Sequence, residues 1–156
     1  SLRPGIPGGT IEVATREDAS TIGVMEVPAE DIGSWGIVET AGGAGDARVA
    51  PIVRMVEKPQ PGTTPSTLAV VGRYVLSPRI FGHLRAIRPG AGGEIQLTDG
   101  IKALIREQPV FGYQFDGARH DAGTRGGWLK ANIAVGLESD DADEFRAYLR
   151  GLDLRD

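Results

Sequence analysis

Apolar residues fall along this chain in two rhythms, one of strand length and one of helical period. Thr21-Ile22-Gly23-Val24-Met25-Glu26-Val27 is an apolar run of strand length stopped by Pro28. Trp35-Gly36-Ile37-Val38-Glu39 predicts a second strand and Arg48 to Glu57 a third. The turn-forming Ala41-Gly42-Gly43-Ala44-Gly45-Asp46 between them predicts a hairpin. Leu68 to Leu76 is nearly uninterrupted, the pattern of a strand buried on both faces, and Val110 to Phe115 alternates as a further strand. Ser77-Pro78 has the form of a helix cap followed by proline at the first helical position. Ile80, Phe81, Leu84 and Ile87 then mark the inner side of that helix. Glu94 to Arg106 predicts a clearer helix, with Leu97, Ile101, Leu104 and Ile105 on one stripe. Gly126 to Leu137 and Asp140 to Leu149 close the chain as helices. Ser1 to Ser20, with Pro4-Gly5-Ile6-Pro7-Gly8-Gly9, reads as a loop or a divergent N-terminal segment. Strand-rich at the front and strand–helix alternating behind, the class is α/β.

Composition narrows this further. A chain of 156 residues suits one domain of ordinary size, and 23 glycines with 10 prolines suit many short loops. The net charge of −4, with no basic run, argues against a nucleic-acid partner. No apolar stretch approaches the ~20 residues that span a bilayer, and no signal-peptide pattern opens the sequence. The absence of cysteine excludes a disulfide framework and thiolate metal sites, and is compatible with a cytoplasmic location.

Three segments could carry chemistry. Glu57-Lys58-Pro59 ends a strand, and proline biases Lys58 towards an extended backbone. A lysine there can meet a phosphate and the neighbouring carboxylate can accept hydrogen bonds from sugar hydroxyls; an ordinary exposed pair is the alternative. Gly90-Ala91-Gly92-Gly93-Glu94 lets backbone approach a ligand just before a helix, or is merely a glycine-rich helix start with Glu94 in the first turn. Asp121, in His120-Asp121-Ala122-Gly123-Thr124, is either a turn former or one ligand of Mg²⁺. His83 reads as structural, and neither histidine supports a nucleophile–base arrangement.

The order of these segments is informative. Trp35-Gly36-Ile37-Val38-Glu39, Val56-Glu57-Lys58-Pro59, Leu68-Ala69-Val70-Val71-Gly72-Arg73-Tyr74, Gly92-Gly93-Glu94-Ile95-Gln96-Leu97-Thr98-Asp99, Asp121-Ala122-Gly123 and Leu129-Lys130-Ala131-Asn132 follow one another. From Thr21 to Leu137 the series resembles the C-terminal half of bacterial UTP–glucose-1-phosphate uridylyltransferase (UDP-glucose pyrophosphorylase).

The resemblance implies a nucleotide-diphospho-sugar transferase fold with a Rossmann-like mixed sheet. It implies transfer of uridylyl from UTP to glucose 1-phosphate, giving UDP-glucose and pyrophosphate with Mg²⁺ as cofactor. Lys58 then holds the sugar phosphate and Glu57 the glucose hydroxyls, with the backbones of Gly36 and Val70 flanking the sugar. Asp121 is one of two metal-binding aspartates, and Glu94 and Thr98 line the same pocket. Relatives self-associate, so a homo-oligomer is implied.

The family's glycine-rich nucleotide loop, uracil pocket and other metal aspartate find no match in this sequence. The expectation is therefore a sugar-phosphate half over residues 21–137, followed by a C-terminal helix and tail over 138–156, incomplete and inactive alone. A related glucose-1-phosphate thymidylyltransferase and a non-catalytic sugar-phosphate-binding or assembly module are the alternatives.

Overall fold

The computed structural model describes residues 6–42, 48–60, 62–89, 94–115, 119–120 and 122–153. The chain divides into two compact units, Ser1–Asp116 and Gly117–Asp156. In the first unit the segment expected to be a loop contains helix α1, Ile6–Glu17. Proline is tolerated in a first helical turn, where its missing N–H has no intrahelical partner, so Pro7 does not break it. Gly8 and Gly9 hide the helical pattern in the sequence. Gly9 has a packing reason: a Cβ there would collide with the ring of Tyr113. Thr10 and Val13 turn inwards and are buried.

Five strands follow the expected positions closely: β1 Ser20–Glu26, β2 Gly36–Thr40, β3 Val49–Glu57, β4 Leu68–Val75 and β5 Val110–Gln114. A 3₁₀ turn, Ala29–Ser34, links β1 to β2. β2 and β3 form the expected antiparallel ladder, although residues 43–47 of its loop lie outside the described residues. The ladders run β1-β4-β2-β3-β5, and β5 returns to β1 so that the ring closes. β1 and β5 are parallel while the other four pairings are antiparallel. The sheet is mixed, as expected, but its closure was not visible in the hydrophobic pattern.

β4 is buried only over Leu68 to Val71. Its pairing with β1 is interrupted between the Val24–Val70 and Ile22–Tyr74 rungs. Gly72 in this interval has φ +76°, a conformation open to glycine at little cost, so a bulge turns the second half of the strand towards solvent.

Helices α2, Arg79–Ala86, and α3, Leu97–Glu107, cover the sheet. Ile80, Ile101 and Leu104 join Ile22, Val24 and Val38 in the main core, with Leu97, Leu84 and Ile105 packed against it. Gly100 permits the two helices to approach, since a Cβ there would lie 2.8 Å from Leu84 Cδ2 and 3.1 Å from Ile80 Cδ1. Three details differ from the sequence reading. Phe81 is exposed rather than inward. The Ser77 hydroxyl does not cap α2, because it accepts a hydrogen bond from Gln108 Nε2 at 2.8 Å. α3 begins at Leu97, which leaves Glu94 outside its first turn.

The second unit carries α4, Arg125–Gly136, and α5, Ala142–Arg150. Thr124 caps α4 by accepting the Gly127 N–H at 3.0 Å. Neither helix buries a residue. Among the described residues no helix is long and apolar enough to cross a membrane.

Candidate functional site

Ladder register brings three of the sequence-predicted residues to one place, and helix α3 adds a fourth. Gly36 pairs with Glu57 across β2 and β3. Ile37 pairs with Ala69, so the next position of β4, Val70, falls beside Gly36. A Cβ on Gly36 would stand 3.1 Å from Glu57 Oε2, 3.4 Å from Met55 Cε and 4.0 Å from Val70 Cβ. Glycine thus leaves space for the carboxylate over the β2 backbone, which a Cβ would crowd. From α3, the Thr98 hydroxyl donates to Glu57 Oε2 at 2.7 Å. Thr98 is buried, and this short bond to a charged acceptor fixes the otherwise exposed Glu57 side chain. Glu57 Oε1 keeps its acceptor capacity, with no hydrogen-bond partner among the described residues.

Lys58 leaves β3 at this point, but not along the extended path that Pro59 suggested. Its φ is +44°, and its backbone N–H donates to the Trp35 carbonyl at 2.9 Å. A left-handed conformation at a non-glycine residue costs roughly 1–3 kcal/mol, and such residues concentrate at functional sites. The bond to Trp35 holds the turn against that cost. The Lys58 side chain is exposed, and its ammonium forms no ion pair among the described residues. An unengaged cation one residue from an oriented carboxylate suits a ligand bearing both hydroxyls and a phosphate.

Sequence reasoning did not assign Tyr74 to this region. Its phenol is pushed above the ordinary tyrosine value, first by partial burial of a side chain that stays 37% exposed and second by the negative charge of Glu57. The missed signal was strand period: Tyr74 follows Val70 by four residues, on the same face, but the run read as buried throughout.

The remaining assignments separate. Glu94 is exposed and lies ahead of α3. The glycines at 90–93 and Asp121 lie outside the described residues. His83 Nε2 stands 3.2 Å from Glu107 Oε2 of α3, and His120 is exposed. No group of three or more histidine, aspartate or glutamate residues able to hold a metal occurs among the described residues.

Known proteins resemble this chain in sequence and in fold. The family model described as nucleotidyl transferase matches residues 9–136. A UTP–glucose-1-phosphate uridylyltransferase of Streptococcus pyogenes serotype M1 is 48% identical over 120 residues, covering 77% of this chain and 39% of the relative. One from Staphylococcus epidermidis is 40% identical over 136 residues, covering 86% and 46%. The chain therefore spans less than half the length of these curated relatives. Among solved structures, an apo UDP-glucose pyrophosphorylase superposes with TM-score 0.81 at 32% identity, covering 87% of this chain and 49% of that one. A UTP-bound UGPase from Acinetobacter baumannii gives 0.80 at 34% identity, covering 94% and 50%.

Proposed function

The chain belongs to the nucleotidyl transferase family, and from that premise we propose that it forms the sugar-phosphate half of a UTP–glucose-1-phosphate uridylyltransferase. The observation that carries this reading is the convergence of Gly36, Glu57, Val70 and Thr98 beside Lys58, whose ammonium forms no ion pair among the described residues. Glu57 Oε1 accepts hydrogen bonds from glucose hydroxyls, while Thr98 holds the other carboxylate oxygen. Gly36 leaves room for the sugar ring against backbone, and the Val70 backbone flanks it beside Gly36. Lys58 meets the phosphate as a point charge and holds one of its oxygens towards the α-phosphorus of UTP.

The reaction forms a bond from that oxygen to the α-phosphorus and breaks the bond to the departing pyrophosphate. The attacking phosphate is already ionised, so no side chain need remove a proton. Transfer of this kind depends on orientation and on neutralising charge, for which a fixed carboxylate and an adjacent lysine are the relevant parts.

Mg²⁺ would supply further charge neutralisation when bound. The candidate ligand Asp121 lies outside the described residues, and no step here is assigned through the metal. Asp121 as a ligand rests on the resemblance alone. Dependence on a nucleotide-binding half, inactivity of the isolated chain, self-association and a cytoplasmic location belong to the same proposal.

Glucose 1-phosphate should shift the amide resonances of Gly36, Glu57 and Thr98 in this chain. Lys58→Ala should weaken that binding about tenfold or more, as loss of a charged phosphate contact does, with the melting temperature nearly unchanged. Equal affinity in Lys58→Ala and the parent would refute the role of Lys58. Shifts confined elsewhere would refute the site.

A further inference from the structure

A concave site lies where β1 begins, away from the proposed sugar-phosphate site. A cleft of about 490 Å³ opens there, within the size range of small-molecule sites. Ser20 lies four residues before Val24, the partner of Val70, and so ~13 Å away at the rise of a strand.

Its interior is organised. Ser20 is 2% exposed, and its Oγ accepts from the Ser77 N–H at 2.9 Å and from Gln108 Nε2 at 3.1 Å. The same Nε2 donates to Ser77 Oγ at 2.8 Å. With its nitrogen engaged twice, Gln108 is held in place while its carbonyl oxygen has no partner among the described residues. Val75, Leu76 and Phe111 supply apolar wall.

The rim is negative. α1 ends there in Glu17, and Asp18, the next residue, takes φ +48° as the Ala19 N–H bonds back to the Ala14 carbonyl at 3.2 Å. Glycine or asparagine is the usual residue in this closure. Aspartate adds negative charge at the helix end whose dipole already disfavours it. Arg16 Nε contacts Glu17 Oε1 at 2.8 Å, whereas Asp18 has no ion pair among the described residues. The free capacity of the cleft is thus the Gln108 carbonyl and the hydroxyl hydrogens of Ser20 and Ser77 inside, with the Asp18 carboxylate, an acceptor, at the mouth.

We propose that this cleft binds a small organic cation, an amine or guanidinium on an apolar body, independently of the sugar-phosphate site. The apolar body lies against Phe111 and Leu76, and the cation donates to Asp18 and Gln108.

Tryptamine and its neutral counterpart tryptophol distinguish charge recognition from simple apolar filling. Titrated into the chain, tryptamine should shift the Ser20, Ser77 and Phe111 amides and bind about fivefold or more tightly than tryptophol, with the excess lost as salt is raised. Asp18→Asn, a change at an exposed residue that tolerates this backbone, should bring the two affinities together, and Gln108→Leu should weaken tryptamine. Equal binding of the two probes to the parent, an unchanged preference in Asp18→Asn, or shifts mapping outside the cleft would each overturn the proposal.

Discussion

Helices α3 and α4 are of similar length and both rich in apolar residues, yet they use them differently. α3 buries Thr98, Gly100, Ile101 and Leu104 along one side, while α4 buries none of its residues. Trp128, Leu129, Ile133 and Val135 of α4 are all more than two-fifths exposed. The contrast separates apolar content from apolar placement. On α3 a single stripe both anchors the helix and delivers Thr98 to Glu57, so that core packing and site geometry are one construction.

The widest test of that difference is truncation at matched positions. Leu104→Ala removes a fully buried side chain from the main core and should cost about 2–5 kcal/mol in urea unfolding. Ile133→Ala, at a residue 42% exposed, should cost less than about 1 kcal/mol. Similar costs at the two positions would remove the distinction.

Gly100→Ala probes the same face by addition rather than removal. The new methyl would press on the Leu84 and Ile80 side chains, and overpacking of this kind costs roughly 1–3 kcal/mol. Since Gly100 is two residues from Thr98, the displacement of α3 should also weaken glucose 1-phosphate binding. A stable variant with full binding would show that α3 can shift without disturbing Glu57.

Thr98→Val should be milder in stability and more selective in effect. It deletes the 2.7 Å bond to Glu57, but the exposed carboxylate can turn to water, so the expected cost is about 1 kcal/mol or less. Glucose 1-phosphate binding should weaken because Glu57 is no longer held. Unaltered binding would mean that the Gly36 backbone and Met55 orient the carboxylate by themselves.

These residues also mark what the sequence could reveal. Gly36, Glu57, Lys58, Val70 and Thr98 stood out as ordered words of a known pattern; Gly36, Glu57 and Val70 converge because ladder register is set by alternating burial, and the buried stripe of α3 brings Thr98 to them. The stripe of α3 was legible for the same reason, being a long periodic run. Local exceptions were not. Pro7 and the glycine pair concealed α1, whose inward side is packed against β5 through Gly9. Proline after Lys58 suggested an extended backbone, whereas a long-range bond to Trp35 selects a left-handed turn. Gly72 looked like one more residue of a buried strand, although it opens the bulge that brings Tyr74 to a rung two residues of β1 from Val70. Each miss arose where a tertiary contact overrode a local preference.

Tyr74 provides the finest test, because its effect is confined to alkaline pH. Burial and the Glu57 charge both favour its neutral phenol, so the folded state holds the proton above the ordinary value of 10.0. As pH rises through that value, the unfolded chain releases its proton first. Stability should therefore fall with pH from there until the folded phenol ionises. Tyr74→Phe should flatten this fall, measured as the urea midpoint between about pH 9 and about pH 11. Glu57→Gln should flatten it less, since burial is the larger cause and remains. A parent and a Tyr74→Phe variant with the same alkaline slope would show that the phenol does not feel the carboxylate. The strand-end site would then extend no further along β4 than Val70.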